Sequence, residues 1–134
     1  MIRVVLVDDY LSFRQPLAFM LMREPDITII GQAATVAEAR PLLPAADIAL
    51  IDLDLPDGEG VELLHELRAV NPEAIALVLT DNVDPHDSAR VLAAGRFMLL
   101  DKMVPFDEII GIIRISALKT TTDPPAGEDQ VGTE

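Results

Sequence analysis

Short apolar runs rich in β-branched residues alternate along the chain with longer stretches in which apolar residues return every three or four positions. Arg3 to Val7, Ile27 to Gly31, Ile48 to Leu53, Ala74 to Thr80 and Phe97 to Leu100 have the length and composition of strands. Ser12 to Arg23, Val36 to Leu43, Gly60 to Val70, Asp87 to Ala94 and Phe106 to Leu118 carry the helical period. A strict strand-helix alternation predicts parallel pairing, because each connection must cross the sheet and does so with one hand. The expected fold is α/β, a doubly wound five-stranded parallel sheet with five helices on its two faces. ADIALID and AIALVLT are apolar at nearly every position, which suits strands covered on both sides at the centre of the sheet.

Boundary residues agree with these elements. Thr35 is placed to cap the second helix, Asn71-Pro72 to end the third and Asp84-Pro85 to open the fourth. Pro41 conflicts with a full helix from Val36, since it removes a backbone hydrogen bond and crowds the preceding turn. That helix is expected to be short or kinked. From Lys119 the sequence is polar and rich in proline, glycine and acid, so residues 1–118 are expected to form one domain. Residues 119–134 are expected to be a disordered tail or the start of a linker to an output domain.

Composition narrows the function. The chain has 134 residues, half of them hydrophobic, enough for one packed core. No run approaches the roughly 20 apolar residues of a bilayer span, and the opening MIRVVLVDD meets carboxylates too early for a secretory signal. A cytoplasmic protein with no membrane contact is expected. Without cysteine, any metal must be held by oxygen or imidazole. A formal net charge of −13 opposes contact with phosphate backbones, so this segment is not expected to bind nucleic acid directly.

Candidate chemistry lies at the strand ends, where doubly wound sheets bind their ligands. The first strand ends in Asp8-Asp9, the third in Asp52 and the fourth in Thr80, and the fifth runs into Asp101-Lys102. Converging carboxylates repel one another unless a divalent cation sits between them, and Mg²⁺ prefers a few carboxylate oxygens completed by water and phosphate. A carboxylate beside such an ion can attack phosphorus, with Lys102 and Thr80 as donors to the developing charge. Taken singly the residues have ordinary readings: Asp8-Asp9 as a helix cap, Thr80 as a structural strand end, Lys102 as a solvated lysine. Their joint placement favours the metal. His65 and His86 read as surface residues, and Met20, Met22, Met98 and Met103 as core filling.

With VVLVDDY, LIDLDLPDGEG, LVLTD and GRFMLLDK in this order and spacing, the sequence resembles the CheY-like receiver domains of two-component response regulators over residues 2 to 118. The resemblance is strongest to the NarL/LuxR-type subfamily, whose members carry a helix-turn-helix output domain. It implies a flavodoxin-like sheet of order 2-1-3-4-5 and makes Asp52 both the phosphoacceptor and a Mg²⁺ ligand. Asp9 becomes a direct Mg²⁺ ligand, Asp8 a ligand mostly through water, and the backbone carbonyl of Asp54 a further ligand. Thr80 and Lys102 would hold the phosphoryl group, while Pro56, Gly58 and Gly60 shape the loop after Asp52. The implied donor is a sensor histidine kinase or phosphotransfer protein. The implied output is a changed surface around the fourth helix, fifth strand and fifth helix, controlling transcription through a downstream DNA-binding domain, with a homodimer as a possible assembly and no turnover of substrate.

Two positions depart from the family. Leu99 stands three residues before Lys102, where receivers usually have an aromatic, and Asp81 follows Thr80, where a small residue is usual. With Asp54 and Asp101, Asp81 adds acid near the expected phosphoryl position. An alternative is therefore a pseudo-receiver acting as a binding or dimerisation module. A third reading takes IDLDL as the Asp-x-Asp motif of haloacid-dehalogenase-like phosphatases, but that motif ends a first strand and here it ends the third.

Overall fold

A computed structural model describes residues 1–81, 84–95 and 97–122. Its strands are β1 (Ile2–Val7), β2 (Ile27–Ala33), β3 (Ile48–Asp52), β4 (Ile75–Thr80) and β5 (Phe97–Asp101). They form one parallel sheet in the order β2-β1-β3-β4-β5, as the alternation and the resemblance predict. The helices are α1 (Leu11–Met22), α2 (Val36–Ala39), α3 (Gly60–Val70), α4 (Pro85–Ala94) and α5 (Phe106–Thr122).

Alternate residues of each central strand feed two separate cores. Val5, Val7, Ala49, Ile51, Ala76 and Val78 face one layer with Leu63, Leu64 and Leu67 of α3 and Val91 and Ala94 of α4. Val4, Leu6, Ile48, Leu50, Leu77 and Leu79 face the other with Leu17 and Leu21 of α1 and Ile109 and Ile113 of α5. β3 is buried at every position, which makes it the centre of the sheet.

Local signals decide the ends of the helices. Thr35 Oγ1 accepts from the Glu38 amide at 3.0 Å and Glu38 Oε1 accepts from the Ala34 amide at 2.8 Å, a close variant of the reciprocal cap. Pro41 acts as expected: α2 stops at Ala39 and the chain tightens into a 3₁₀ turn over Arg40–Ala45. Asn71 closes α3 and its amide donates to the carbonyls of Leu43 (3.1 Å), Pro44 (3.2 Å) and Ala46 (2.7 Å), tying that turn down. Asp84 Oδ1 caps α4 through the Asp87 amide at 2.8 Å. α5 runs to Thr122, four residues beyond the predicted end, and residues 123–134 of the expected tail lie outside the described part.

The methionines correct an expectation. Met20 packs against the layer of α1 and α5, but Met22, Met98 and Met103 are exposed and fill no core. His65 and His86 are exposed as predicted. Among the described residues no helix is long and apolar enough to cross a membrane.

Candidate functional site at the carboxyl ends of the strands

Parallel strands bring their carboxyl ends to one pole, and chain order then decides which residues meet there. Asp8 and Asp9 follow β1, Asp52 ends the adjacent β3, Thr80 ends β4 and Lys102 follows β5. Asp52 is paired with Leu79, so Thr80 stands one step beyond it, and the Lys102 amide donates to the Thr80 carbonyl at 2.9 Å. Asp8, Asp52, Thr80 and Lys102 are buried, whereas Asp9 is exposed at the mouth.

Lys102 Nζ lies 2.8 Å from Asp8 Oδ2 and 3.3 Å from Asp52 Oδ2. The contact with Asp8 is an ion pair off the hydrogen-bonding axis, so Asp8 Oδ2 is buried without an aligned donor. Its other oxygen accepts from the Tyr10 amide at 2.9 Å, and Asp52 Oδ1 accepts from the Asp54 amide at 3.3 Å. Burial, and then the Asp8 carboxylate, push Asp52 up from 3.8 to about 6, with Lys102 opposing them. Burial pulls the Lys102 ammonium down, but its bonds and charge interactions with Asp8 and Asp52 outweigh this and hold it above its ordinary value.

One carboxylate oxygen from each of Asp8, Asp9 and Asp52 falls within 4.8 Å of the others. Oxygens around a six-coordinate Mg²⁺ stand about 3 to 4 Å apart, so small side-chain rotations close this set on one ion. Three converging carboxylates and the raised Asp52 mark a place that suits a cation beside Lys102, and the donors fit the ion.

The loop after Asp52 is a minimal hairpin, Asp54–Leu55 against Gly58–Glu59, closed by Pro56-Asp57. Gly60 is required where it leaves: a Cβ there would lie 2.3 Å from the carbonyl oxygen of Asp52. The Gly60 amide donates to the Leu53 carbonyl at 2.8 Å. Asp54 points its side chain to solvent, as does Asp81, while Asp101 Oδ1 accepts from the Met103 amide at 2.8 Å and serves its own turn. The acid whose charge raises Asp52 is Asp8. Leu99 is paired with Val78 and Phe97 with Ala76, so the register is regular and Phe97 stands two positions further from Thr80 on the same face. Phe97 does not take the place of the missing aromatic.

Sequence reading overlooked the packing around Lys102. The rings of Tyr10 and Phe13 lie 5.1 and 4.9 Å from its ammonium, covering its stem and charge. The signal was available, since two of the few aromatics in a chain with one tyrosine and four phenylalanines fall within four residues of the acidic pair.

Over residues 4–114 the chain matches the family described as the response regulator receiver domain. The chain belongs to that family. It is 37% identical over 97 residues to the DNA-binding transcriptional activator DevR/DosR of Mycobacterium tuberculosis, an overlap of 71% of this chain and 45% of the relative. A two-component response regulator of the LuxR family from Aurantimonas is 26% identical with a TM-score of 0.78, covering 86% of this chain and 84% of that one. A CheY-like receiver domain protein from Methanospirillum hungatei shares the fold with a TM-score of 0.83 at 24% identity, covering 92% and 99%. The chain spans about half the length of the curated relatives it matches. It is thus a CheY-like receiver domain whose relatives include LuxR-type transcriptional regulators.

Proposed function

We propose that this receiver is a working phosphoryl switch in which Asp52 is the acceptor and Asp8, Asp9 and the Asp54 carbonyl hold Mg²⁺. The observation that carries the reading is a buried Asp52 lying between two further carboxylates and a single lysine. Mg²⁺, when bound, supplies positive charge to the phosphoryl oxygens. Asp52 contributes the attacking carboxylate oxygen. Lys102, already within 3.3 Å, is free to exchange its carboxylate contact for a phosphoryl oxygen. Thr80 offers a hydroxyl from the neighbouring strand end. The exposed Asp9 side leaves the pole open to a donor, which we take to be the phosphohistidine of a sensor kinase or phosphotransfer protein.

The site is coupled to its output through β5. Lys102 and Thr80 are bonded across the β4-β5 end, and Phe97, Met98 and Leu99 of β5 border a cleft of about 250 Å³ with Ser88 and Val91 of α4. Leu99 lines that cleft, so a shift of Thr80 reaches α4 by aliphatic repacking. We assign the changed surface to α4, β5 and α5, serving a DNA-binding output domain of a longer cytoplasmic regulator, with the segment after Thr122 as the linker. One phosphoryl group is gained and slowly lost per molecule, without turnover.

The test is intact mass after incubation with Mg²⁺ and acetyl phosphate. A gain of one phosphoryl group is expected, absent from Asp52→Asn and from a sample in EDTA. No gain, with beryllofluoride also leaving the resonances around Asp52 unmoved, would transfer the argument to a pseudo-receiver that binds partners unphosphorylated.

A further inference from the structure

The hairpin after Asp52 is anchored at its tip by a contact that the phosphoryl chemistry leaves unexplained. Asp57 Oδ1 accepts from the Val36 amide at 2.7 Å and Oδ2 from the Ala37 amide at 3.1 Å, although these partners lie about twenty residues earlier in the chain. Thr35 and Glu38 already cap the same turn from within it, so its amides are distributed between a local and a distant set of acceptors. The anchor is firm, because Val36 and Ala39 are buried. It is also close: a Cβ at Gly58 would come 3.2 Å from Val36 Cγ2.

At its base the hairpin is held by the Gly60 amide on the Leu53 carbonyl and the Asp54 amide on Asp52 Oδ1. On its other side Glu59 pairs with Arg90 of α4. Each arm has two residues, so there is no slack between the tip and Asp54. We infer that Asp57 is a positioning residue for the metal site: by pinning the hairpin tip to the Val36 and Ala37 amides, it fixes where the Asp54 carbonyl stands relative to Asp8, Asp9 and Asp52. This rests on the magnesium reading given above. A carboxylate taking two amide protons makes charge-assisted bonds stronger than those of a neutral acceptor. In keeping with this, the Val36 amide holds the Asp57 carboxyl below its ordinary value.

Calorimetric Mg²⁺ titrations of the unaltered chain, Asp57→Ala, Asp57→Asn and Thr35→Ala test the inference, with thermal melting of each in EDTA as the measure of folding. Residues that orient metal ligands from outside typically change affinity 10- to 100-fold, so Asp57→Ala is expected to weaken Mg²⁺ binding about tenfold. Asp57→Asn keeps one acceptor oxygen and should fall between Ala and the unaltered chain. Thr35→Ala should lower the melting temperature and leave Mg²⁺ affinity unchanged. Unchanged affinity in the Asp57 variants overturns the inference, as does an equal loss in Thr35→Ala, which would make Asp57 only a helix cap. Equal losses in Asn and Ala overturn it too, since they reduce the effect to one negative charge. If the unaltered chain binds no Mg²⁺, the magnesium reading itself is what fails.

Discussion

The two ends of the sheet bring together the same kinds of group with opposite results. At the carboxyl ends of the strands, Lys102 lies 2.8 and 3.3 Å from two carboxylates, and all three side chains are buried. At the amino ends, Arg114 binds Asp26 at 2.8 Å and also Glu24, and Arg3 binds Asp47 at 3.2 Å, with these side chains partly exposed to solvent. Burial pushes Asp52 up to about 6, whereas the Arg114 hydrogen bond outweighs desolvation and takes Asp26 down to about 2. Proximity of a cation is common to both, so it is the removal of water, joined by the second acid, that decides the sign. One pole is electrostatically complete and the other is short of a cation.

The strongest way to break this contrast is to remove the shared lysine. Lys102→Met leaves Asp8 and Asp52 buried without a positive partner, and a stability loss of about 3 kcal/mol is expected at pH 7 in EDTA. Saturating Mg²⁺ should recover part of it, and acidification through about 6 should too, as Asp52 takes up a proton. Urea unfolding measures both. A variant as stable as the parent would mean that these carboxylates are as well solvated as Asp26, and the contrast would collapse.

Removing the acid instead should act in the opposite direction. The folded value of Asp52 lies above 3.8, so its contribution is whole below that value and is lost as pH rises through about 6. The metal-free protein should therefore weaken across this window. Asp52→Asn lacks the titration and should be more stable than the parent at pH 8 by about 2 kcal/mol, the difference closing near pH 4. Paired unfolding curves in EDTA across this range read the effect. A variant less stable than the parent at pH 8 would show that Asp52 depends on Lys102 more than it suffers from burial.

Most of this pole was legible in the sequence because parallel strands make it so. Once the alternation of strand and helix is recognised, the last residues of β1, β3, β4 and β5 must share one end, and Asp8, Asp52, Thr80 and Lys102 follow. Pro41 and Thr35 were readable for the same reason, since their effects are local. What escaped was decided by partners distant in sequence. Nothing near Asp57 shows that its carboxylate reaches Val36, and strand position does not reveal that Asp54 and Asp81 are exposed while Asp101 caps a turn. The exposed Met22, Met98 and Met103 failed for a related reason: an apolar residue type carries no direction.

The opposite pole supplies the smallest effect and the finest test. The folded value of Asp26 lies below 3.8, so its contribution is present above that value and is lost as pH falls through about 2. Asp26→Asn should therefore be slightly less stable than the parent at pH 7, with the difference shrinking toward pH 2, the reverse of Asp52→Asn in both sign and window. Because Arg114 and Asp26 are open to solvent, raising the salt to about 1 M should also erase most of the difference, whereas the effect at Asp52 should persist. Melting curves at two ionic strengths separate the poles: a salt-resistant Asp26 would mean that its pair with Arg114 is sheltered from water, and burial would then no longer distinguish the two ends of the sheet.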